Sequence, residues 1–242
     1  MQHDQRVFNS PLCIEHARSL LSVLDPQDAF TALDVGCARG ELLALWMELG
    51  GGRCFGVDPD RSETALARRR LARFADRVRL QTAPIAEAEL PGAFDVAMCL
   101  GATHAFGGVG DALRATYVAL AELLRPGGRM LIGHGFWKQT PAPEYLAATG
   151  IDPAELCSHA ENLELGESLG LRTLYVSASS TSEWDAFEAG SGLAAERRLD
   201  LQPDDPEAQA LAERRRAWRR ASLRWGRDTM GFGFYVFETP RS

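Results

Sequence analysis

Two aspartates in short apolar segments are the first residues whose types and spacing indicate a binding site. Asp34 lies in ALDVG, and Asp58 follows the apolar segment RCFGV. The intervening loop, GCARG at 36–40, consists mostly of small residues that let the backbone approach a ligand closely. A carboxylate at the end of a second strand accepts hydrogen bonds from ribose hydroxyls. The pattern therefore predicts a nucleoside-type ligand.

The same loop distinguishes between candidate ligands. Dinucleotide sites carry GxGxxG, but here Ala38 replaces the second glycine and Glu41 the third, and no GKS or GKT sequence is present. Glu41 also places a carboxylate at a helix N-terminus, where a pyrophosphate would bind. S-adenosylmethionine has no phosphate and carries a sulfonium and an ammonium, so Asp34 can face its ammonium directly or through water. This cofactor is favoured, and a nicotinamide-dinucleotide-dependent oxidoreductase stays open as the alternative.

Two histidines lie where group transfer would need a proton acceptor. His104, in CLGATHAFGG, comes directly after the fourth predicted strand, and His134 ends the fifth. Histidine exchanges protons near neutral pH, so both are candidate catalytic residues, as a base or a substrate contact. The alternatives are packing against the adenine or helix capping at 104, and a structural hydrogen bond at 134. Because no carboxylate or cysteine completes a ligand set beside them, no metal is predicted.

Strands and helices alternate over the first 137 residues, which predicts a doubly wound α/β fold with a largely parallel sheet. In such sheets ligands bind at the carboxyl ends of the strands. A first helix at 12–24 is expected to open at Asn9-Ser10-Pro11, and RPGG at 125–128 is expected to stop a later one. The predicted strands are 31–36, 53–59, 77–82, 93–101 and 129–137; the helices between them are 40–50, 60–75 (capped by Asp60 or Ser62) and 109–124.

The last third of the chain has a different pattern. Residues 138–170 lack strand periodicity and predict small helices and loops. A sixth strand is expected at 171–180, and a charged helical region at 183–222 is broken near two prolines. The aromatic segment 231–238 predicts a last strand, whose Gly231 and Gly233 indicate an edge, a bulge or close approach to a ligand.

Four segments taken together resemble the class I S-adenosylmethionine-dependent methyltransferases. They are LDVGCARGELL, GVDPD, FDVAMCLGATHAFGG and LLRPGGRMLIG, in the family's order within residues 31–134. More narrowly, CLGATHAFGG, EWDAFEA and RWGRDTMGFGFYVF resemble a bacterial subgroup of small-molecule methyltransferases. The resemblance implies a Rossmann-like, mostly parallel sheet of seven strands, with the last strand antiparallel and inserted between the fifth and sixth. It also implies methyl transfer to O, N or S of a small metabolite, with S-adenosylhomocysteine as product.

The domain organisation follows from the same resemblance. Residues 1–242 are expected to form one methyltransferase domain, in which a helical lid that includes RVFNSPL covers the cofactor. The expected parts are the N-terminal lid at 1–30, the cofactor-binding core at 31–137, a helical substrate cap at 138–170 and 183–222, and closing strands at 171–180 and 231–238.

The resemblance also assigns the cofactor contacts. After the third strand the family often has an acidic residue for the adenine amino group, but Ala83 stands there. A backbone carbonyl or the nearby Glu87 is expected to take that contact. The predicted cofactor-binding residues are Asp34, Gly36, Cys37, Ala38, Gly40, Asp58, Pro59, Ala83, Pro84, Leu100 and Gly101.

Aromatic residues near the strand ends are candidates for the substrate pocket. Phe106, Trp137 and Trp184 are predicted substrate contacts, because aromatic faces attract a sulfonium or a methylated amine. Glu188 is one helical turn from Trp184, so the two share a face and together suit a cationic substrate. Ordinary packing and a surface charge are the alternative interpretations.

Composition restricts the partners. The 242-residue chain has a formal net charge of −7, and its arginine clusters at 68–73 and 214–220 are interpreted as solvated helix faces, so nucleic acid is disfavoured. The place after the fourth strand reads LGAT, not [ND]PPY, which argues against methylation of bases or glutamine. The five cysteines are scattered and predict neither a disulfide framework nor a zinc site.

We expect a cytoplasmic protein that binds no membrane, is a monomer or homodimer, and acts on a small molecule. A non-catalytic protein that binds the methyl donor is a further alternative.

Overall fold

A seven-stranded sheet forms the centre of the molecule. The computed structural model describes residues 8–241, so the first seven residues of the expected lid lie outside the described part. The strand order is β3-β2-β1-β4-β5-β7-β6. The strands are β1 Ala32–Val35, β2 Cys54–Val57, β3 Val78–Gln81, β4 Phe94–Leu100, β5 Leu124–Trp137, β6 Arg172–Ala178 and β7 Met230–Glu238.

The pairing pattern confirms the predicted fold class. The first five strands pair in parallel, whereas β7 lies between β5 and β6 and runs antiparallel to both. In β1, Asp34 pairs with Gly56 on one side and with Met98 on the other, which places it in the middle of the sheet. The carboxyl ends of β1, β2, β4 and β5 therefore meet at one edge, where the candidate residues were expected.

Helices cover both faces of the sheet. One hydrophobic cluster packs α1 and α2 against it through Leu20, Leu43 and Trp46, and a second packs α4 through Tyr117 and Leu120. The helices are α1 Ile14–Val23, α2 Glu41–Glu48, α3 Arg61–Arg70, α4 Ala112–Leu123, α5 Pro143–Thr149, α6 His159–Ser168, α7 Thr181–Leu201, α8 Pro206–Ala221 and α9 Arg227–Thr229, with a π-helical turn at Ser222–Gly226 before α9. Short 3-10 turns lie at Ala72–Phe74, Ile85–Glu87, Thr103–Ala105 and Pro153–Glu155.

The helix starts agree only in part with expectation. Asp60 caps α3 by accepting hydrogen bonds from the backbone of Ser62 and Glu63, as predicted. The predicted start of α1 is wrong, because Cys13 is its N-cap and accepts from the backbone N–H of His16. Residues 9–11 instead form a bend before the helix.

Two glycine predictions need correction. RPGG at 125–128 follows the end of α4 at Leu123, as predicted, but it is not a separate turn: it belongs to β5 and forms an irregularity in the pairing, since Phe94 pairs with Leu124 and Val96 with Arg129. Gly231 and Gly233 mark no edge, because β7 lies inside the sheet between β5 and β6. A Cβ on Gly231 would lie 2.3 Å from the Phe136 ring, so this glycine makes room for a side chain.

Within residues 8–241, no helix is both long enough and apolar enough to span a bilayer.

Candidate active site

The loop after β1 has an alternating backbone conformation. Gly36, Ala38 and Gly40 have φ values of 74°, 43° and 73°. The N–H groups of Gly36 and Cys37 both donate to the carbonyl of Val57, at 2.8 and 3.2 Å, which ties the loop to β2. A Cβ on Gly36 would lie only 2.4 Å from the Cβ of Ala102. Only glycine fits that position, so the loop lies directly against the chain that follows β4.

Asp58 is fixed by backbone donors. One carboxylate oxygen accepts from the N–H of Ala38 and the other from the N–H of Asp60, both at 2.9 Å. The side chain is buried but reaches the surface of a cavity. A carboxylate has about four lone-pair sites, so two remain for the hydroxyls of a diol.

Asp34 lies deeper than Asp58. It is 3% exposed, and burial, reinforced by the charges of Asp58 and Glu41, raises its pKa well above the usual range. Such a carboxyl group ionises readily only when a cation arrives nearby. Its position therefore suits an indirect contact with an ammonium group, through an intervening water or the loop backbone, better than a direct contact.

A cavity of about 350 Å³ opens at the carboxyl ends of β1, β2 and β4. Three of the predicted cofactor-binding residues, Asp34, Cys37 and Gly40, do not line this cavity. The thiol of Cys37 points at Gly56, and Gly40 is the N-cap of α2. We name it the cofactor cavity, and it is lined by eight of the predicted residues: Gly36, Ala38, Asp58, Pro59, Ala83, Pro84, Leu100 and Gly101.

The acidic residues around this cavity differ from those expected. Glu41 does not line it and forms an ion pair with Arg70 at 2.9 Å instead. Glu87 is exposed on its 3-10 turn and is not a lining residue either, so the Ala83–Ile85 segment contributes backbone and apolar surface. Asp60 and Glu63 do line the cavity. Their signal in the sequence was the acidic start of α3, which was interpreted only as a helix cap.

A second cavity, of about 410 Å³, adjoins the first and shares Gly101 and His104 with it. We name it the acceptor cavity. Its other lining residues are Thr103, Gly107, Gly108, Val109, Gly110, Ala112, His134, Gly135, Glu155, Leu156, Met230 and Phe232.

The two predicted catalytic histidines both line the acceptor cavity. His104 is exposed on the 3-10 turn at Thr103–Ala105 and lies where the two cavities meet. His134, on β5, has its Nδ1 3.0 Å from the hydroxyl of Thr103. Burial lowers the pKa of His134 to about 4, so its ring is neutral near neutral pH.

Comparison with known proteins agrees with this geometry. Residues 33–130 match the profile of a family described as a methyltransferase domain. The Escherichia coli (strain K12) protein described as uncharacterized YjhP is 29% identical over 239 residues, which cover 97% of this chain and 94% of that protein. The X-ray structure of E. coli YjhP has a TM-score of 0.88 at 27% identity and covers 97% of this chain and 96% of that one.

Two further crystal structures are S-adenosylmethionine-dependent methyltransferases in complex with S-adenosylhomocysteine. The protein from Thiobacillus denitrificans has a TM-score of 0.86 at 26% identity and covers 96% of this chain and 94% of its own. The protein from Geobacter sulfurreducens has a TM-score of 0.86 at 27% identity, with coverage of 97% and 94%. Together with the match at residues 33–130, these structures support a class I S-adenosylmethionine-dependent methyltransferase.

The four substrate residues predicted for this methyltransferase do not line the acceptor cavity. Trp184 packs against Phe232 at a ring distance of 6.5 Å, and Phe106 packs into the α4 cluster. The Nε1 of Trp137 donates to the carbonyl of Pro153. Glu188 lies near the Tyr145 hydroxyl and raises its pKa further, after burial, to about 12. Trp184 and Glu188 do share one helix, α7, but neither lines the acceptor cavity.

The larger apolar side chains that line the acceptor cavity include Met230 and Phe232 of β7 and Leu156 of the segment before α6. Phe232 pairs with Gly135 across the β5–β7 ladder, and Met230 pairs with Trp137. Phe232 falls in the strand predicted at 231–238, Met230 lies just before it, and neither was predicted as a site residue. Their contribution to the methyltransferase site depends on the insertion of β7 beside β5, which no local pattern encodes.

Proposed function

We propose that this methyltransferase moves the methyl group of S-adenosylmethionine to O, N or S of a small metabolite and releases S-adenosylhomocysteine. The observation that carries the proposal is the junction of two cavities at Gly101 and His104. One cavity has the small-residue loop and the carboxylate that a nucleoside needs. The other is of a size that suits a small ligand.

The residues of the cofactor cavity fit the donor. Asp58 has acceptor capacity left for both ribose hydroxyls, and the loop at 36–40 lets the methionine part pass close to the backbone. Asp34 does not line the cavity and is assigned to balance the positive charge of the ammonium through water or the loop backbone. Ala83, Pro84 and Ile85 offer an apolar edge and backbone groups to the adenine.

The chain's own chemistry is orientation and proton transfer. The donor, when bound, would supply an electrophilic methyl carbon on its sulfonium; the bond from the acceptor's O, N or S to this carbon would form as the C–S bond breaks, with S-adenosylhomocysteine as the leaving group. His104 lies at the junction of the cavities and is assigned as the proton acceptor for the nucleophile. His134 is neutral but weakly basic, because its pKa is about 4, so it is assigned to orient the acceptor by a hydrogen bond. The sequence left both histidines as candidate bases, and this proposal assigns that role to His104 alone.

Calorimetric titration with S-adenosylhomocysteine tests the cofactor, with NADH as a parallel ligand and Asp58→Ala as the control variant. Micromolar binding that is lost in the variant supports the proposal. Binding of NADH instead would support the oxidoreductase alternative and overturn it.

Methyl transfer is then screened over a metabolite library, with His104→Ala and His134→Ala beside the parent. Release of S-adenosylhomocysteine that depends on one metabolite supports the proposal. Cofactor binding without transfer to any metabolite would favour a non-catalytic binding protein.

We also propose that the protein acts on a small molecule in the cytoplasm as a monomer or homodimer, and binds neither nucleic acid nor a membrane. Both arginine clusters have acidic partners: Arg73 bonds Glu48, and Arg216 bonds Glu196 at 2.8 Å. This pairing supports their interpretation as solvated helix faces. Light scattering after size-exclusion chromatography measures the oligomeric state, and retention on heparin would contradict the exclusion of nucleic acid.

A further inference from the structure

The charged side chains that line the acceptor cavity are acidic and not basic. Among its lining residues, all within the described part of the chain, there is one carboxylate, Glu155, and no lysine or arginine. The cofactor cavity, within the same described residues, is lined by Asp58, Asp60 and Glu63 and likewise by no lysine or arginine. An anionic acceptor would therefore meet no fixed cation from the protein at any point of either cavity.

One part of the acceptor cavity's wall is formed by two touching segments. A Cβ on Gly110 would lie 3.6 Å from the carbonyl oxygen of Ala154, so the glycine-rich loop at 107–110 meets the 3-10 turn at Pro153–Glu155. Glu155 ends that turn and is exposed at the cavity surface. It lines the acceptor cavity and not the cofactor cavity, so it faces the part of the acceptor remote from the methyl group.

The middle of the cavity is apolar. A Cβ on Gly135 would lie 3.0 Å from Leu156 and 3.5 Å from Met230, which places these two side chains together. The ring of Phe232 lies nearer the junction, 3.8 Å from where a Cβ on Gly101 would be. A molecule bound there would contact Phe232, Met230 and Leu156, which suits an apolar body.

We propose that the acceptor is a small, mostly apolar molecule without negative charge, and that Glu155 favours acceptors with a cationic end. Removing an anion from water without a partner is unfavourable, and the donor's sulfonium lies only at the reacting end. A carboxylate at the remote end repels an anion and attracts a cation. This inference deepens the proposed function and rests on it.

Three phenols that share one body and differ in the charge of the tail test the proposal. Tyramine is cationic, para-ethylphenol is neutral and para-hydroxyphenylpropanoate is anionic. Each is titrated into the protein saturated with S-adenosylhomocysteine, and binding is measured by ligand-observed NMR and calorimetry. Tyramine and para-ethylphenol are expected to bind about tenfold or more tightly than the propanoate.

A charge reversal at Glu155 gives the matched comparison. Glu155→Lys is expected to shift the ratio of tyramine to propanoate affinity by about tenfold toward the anion. Glu164→Lys changes the net charge equally, at an exposed position of α6 that lines neither cavity, and is expected to leave the ratio unchanged.

The outcomes separate the two claims. If S-adenosylhomocysteine itself fails to bind, the proposed function fails before any phenol is added. If it binds, equal or tighter binding of the propanoate overturns the inference alone. So does the absence of binding by all three phenols at millimolar concentration, or an equal effect of the two lysine variants.

Discussion

The hydroxyl of Thr103 and the Nδ1 of His134 lie 3.0 Å apart and join the ends of β4 and β5. Thr103 is 5% exposed and is followed immediately by His104, so one hydrogen bond links the elements that carry both candidate catalytic histidines. The partner of the bond at His134 also fixes which of its ring nitrogens faces the acceptor cavity. Thr103 is therefore a positioning residue for the proposed reaction.

Thr103→Val tests this positioning role. The substitution keeps the shape and removes the hydroxyl, so kcat is expected to fall by about tenfold while affinity for S-adenosylhomocysteine stays unchanged. Thr103→Ser, which restores the hydroxyl, is expected to recover most of the rate. The measurement is steady-state kinetics with the acceptor found by screening. Thr173→Val, on β6 and away from both cavities, is the control and is expected to keep the parent kcat.

Burial of His134 predicts a pH dependence of stability. Its pKa falls from the ordinary 6.5 to about 4 in the folded chain, so between these values the unfolded chain binds the proton and the folded chain does not. The free energy of unfolding therefore drops as the pH falls from about 6.5 to about 4. His134→Asn is expected to flatten this slope. Urea unfolding at pH values between about 6.5 and about 4 measures this pH dependence in the parent and the variant. An unchanged slope in the variant would contradict the burial of the ring.

Asp58→Ala is expected to weaken binding of S-adenosylhomocysteine by about a hundredfold, because two hydrogen bonds to a charged acceptor are lost. Asp95→Ala is the matched control, since Asp95 also accepts backbone hydrogen bonds, from Thr31 at 2.7 Å, but at the amino end of β4. Both variants are expected to lose stability, and only the first to lose affinity. Calorimetry and thermal melting separate the two effects; equal losses of affinity would show that Asp58 acts only through stability.

Ala38 has a φ of 43°, which is unfavourable for a residue with a Cβ. Ala38→Gly is expected to raise the free energy of unfolding by up to about 1 kcal/mol, because relief of the strain exceeds the added chain entropy. The variant also restores the second glycine of a dinucleotide fingerprint. No NADH binding is expected, because Asp60 and Glu63 line the cavity where a pyrophosphate would lie. Micromolar NADH binding by the variant would contradict that reasoning.

The sequence predicted the cofactor side of the site better than the acceptor side, for a physical reason. Asp58, Gly36 and Gly101 stand at strand ends, and the parallel order of β1, β2 and β4 brings strand ends together. Continuous hydrophobic runs in the sequence also identify buried strands. A local pattern therefore sufficed to predict these elements and to bring their end residues to one cavity.

The acceptor side depends on long-range pairing. Phe232 reaches the cavity because β7 lies beside β5 and places it opposite Gly135. Trp184 was a plausible contact by residue type, but it packs behind Phe232, at a depth that residue type does not encode. Cys13 capped α1 against expectation because its backbone is also held by a carboxylate far along the chain, Glu183.

Glu183 holds the N-terminal segment in place. One of its carboxylate oxygens accepts from the backbone of Cys13 and lies 3.0 Å from Nδ1 of His16, while the other accepts from Ser180 at 2.7 Å. Burial alone would raise the pKa of Glu183, but these donors lower it to about 2. The segment matters for the site because Asn9 lines the cofactor cavity.

Glu183→Gln is expected to destabilise the protein by about 2 kcal/mol and to speed hydrogen exchange of the backbone at 12–16, because an amide replaces one accepting oxygen. The stabilisation by Glu183 is present above the ordinary pKa of 4.5 and disappears as the pH falls toward 2, so the parent and the variant should converge in acid. Glu161→Gln makes the same exchange in the equivalent capping box at the start of α6. If the two variants lost equal stability and exchanged alike at 12–16, Glu183 would be a helix cap and nothing more.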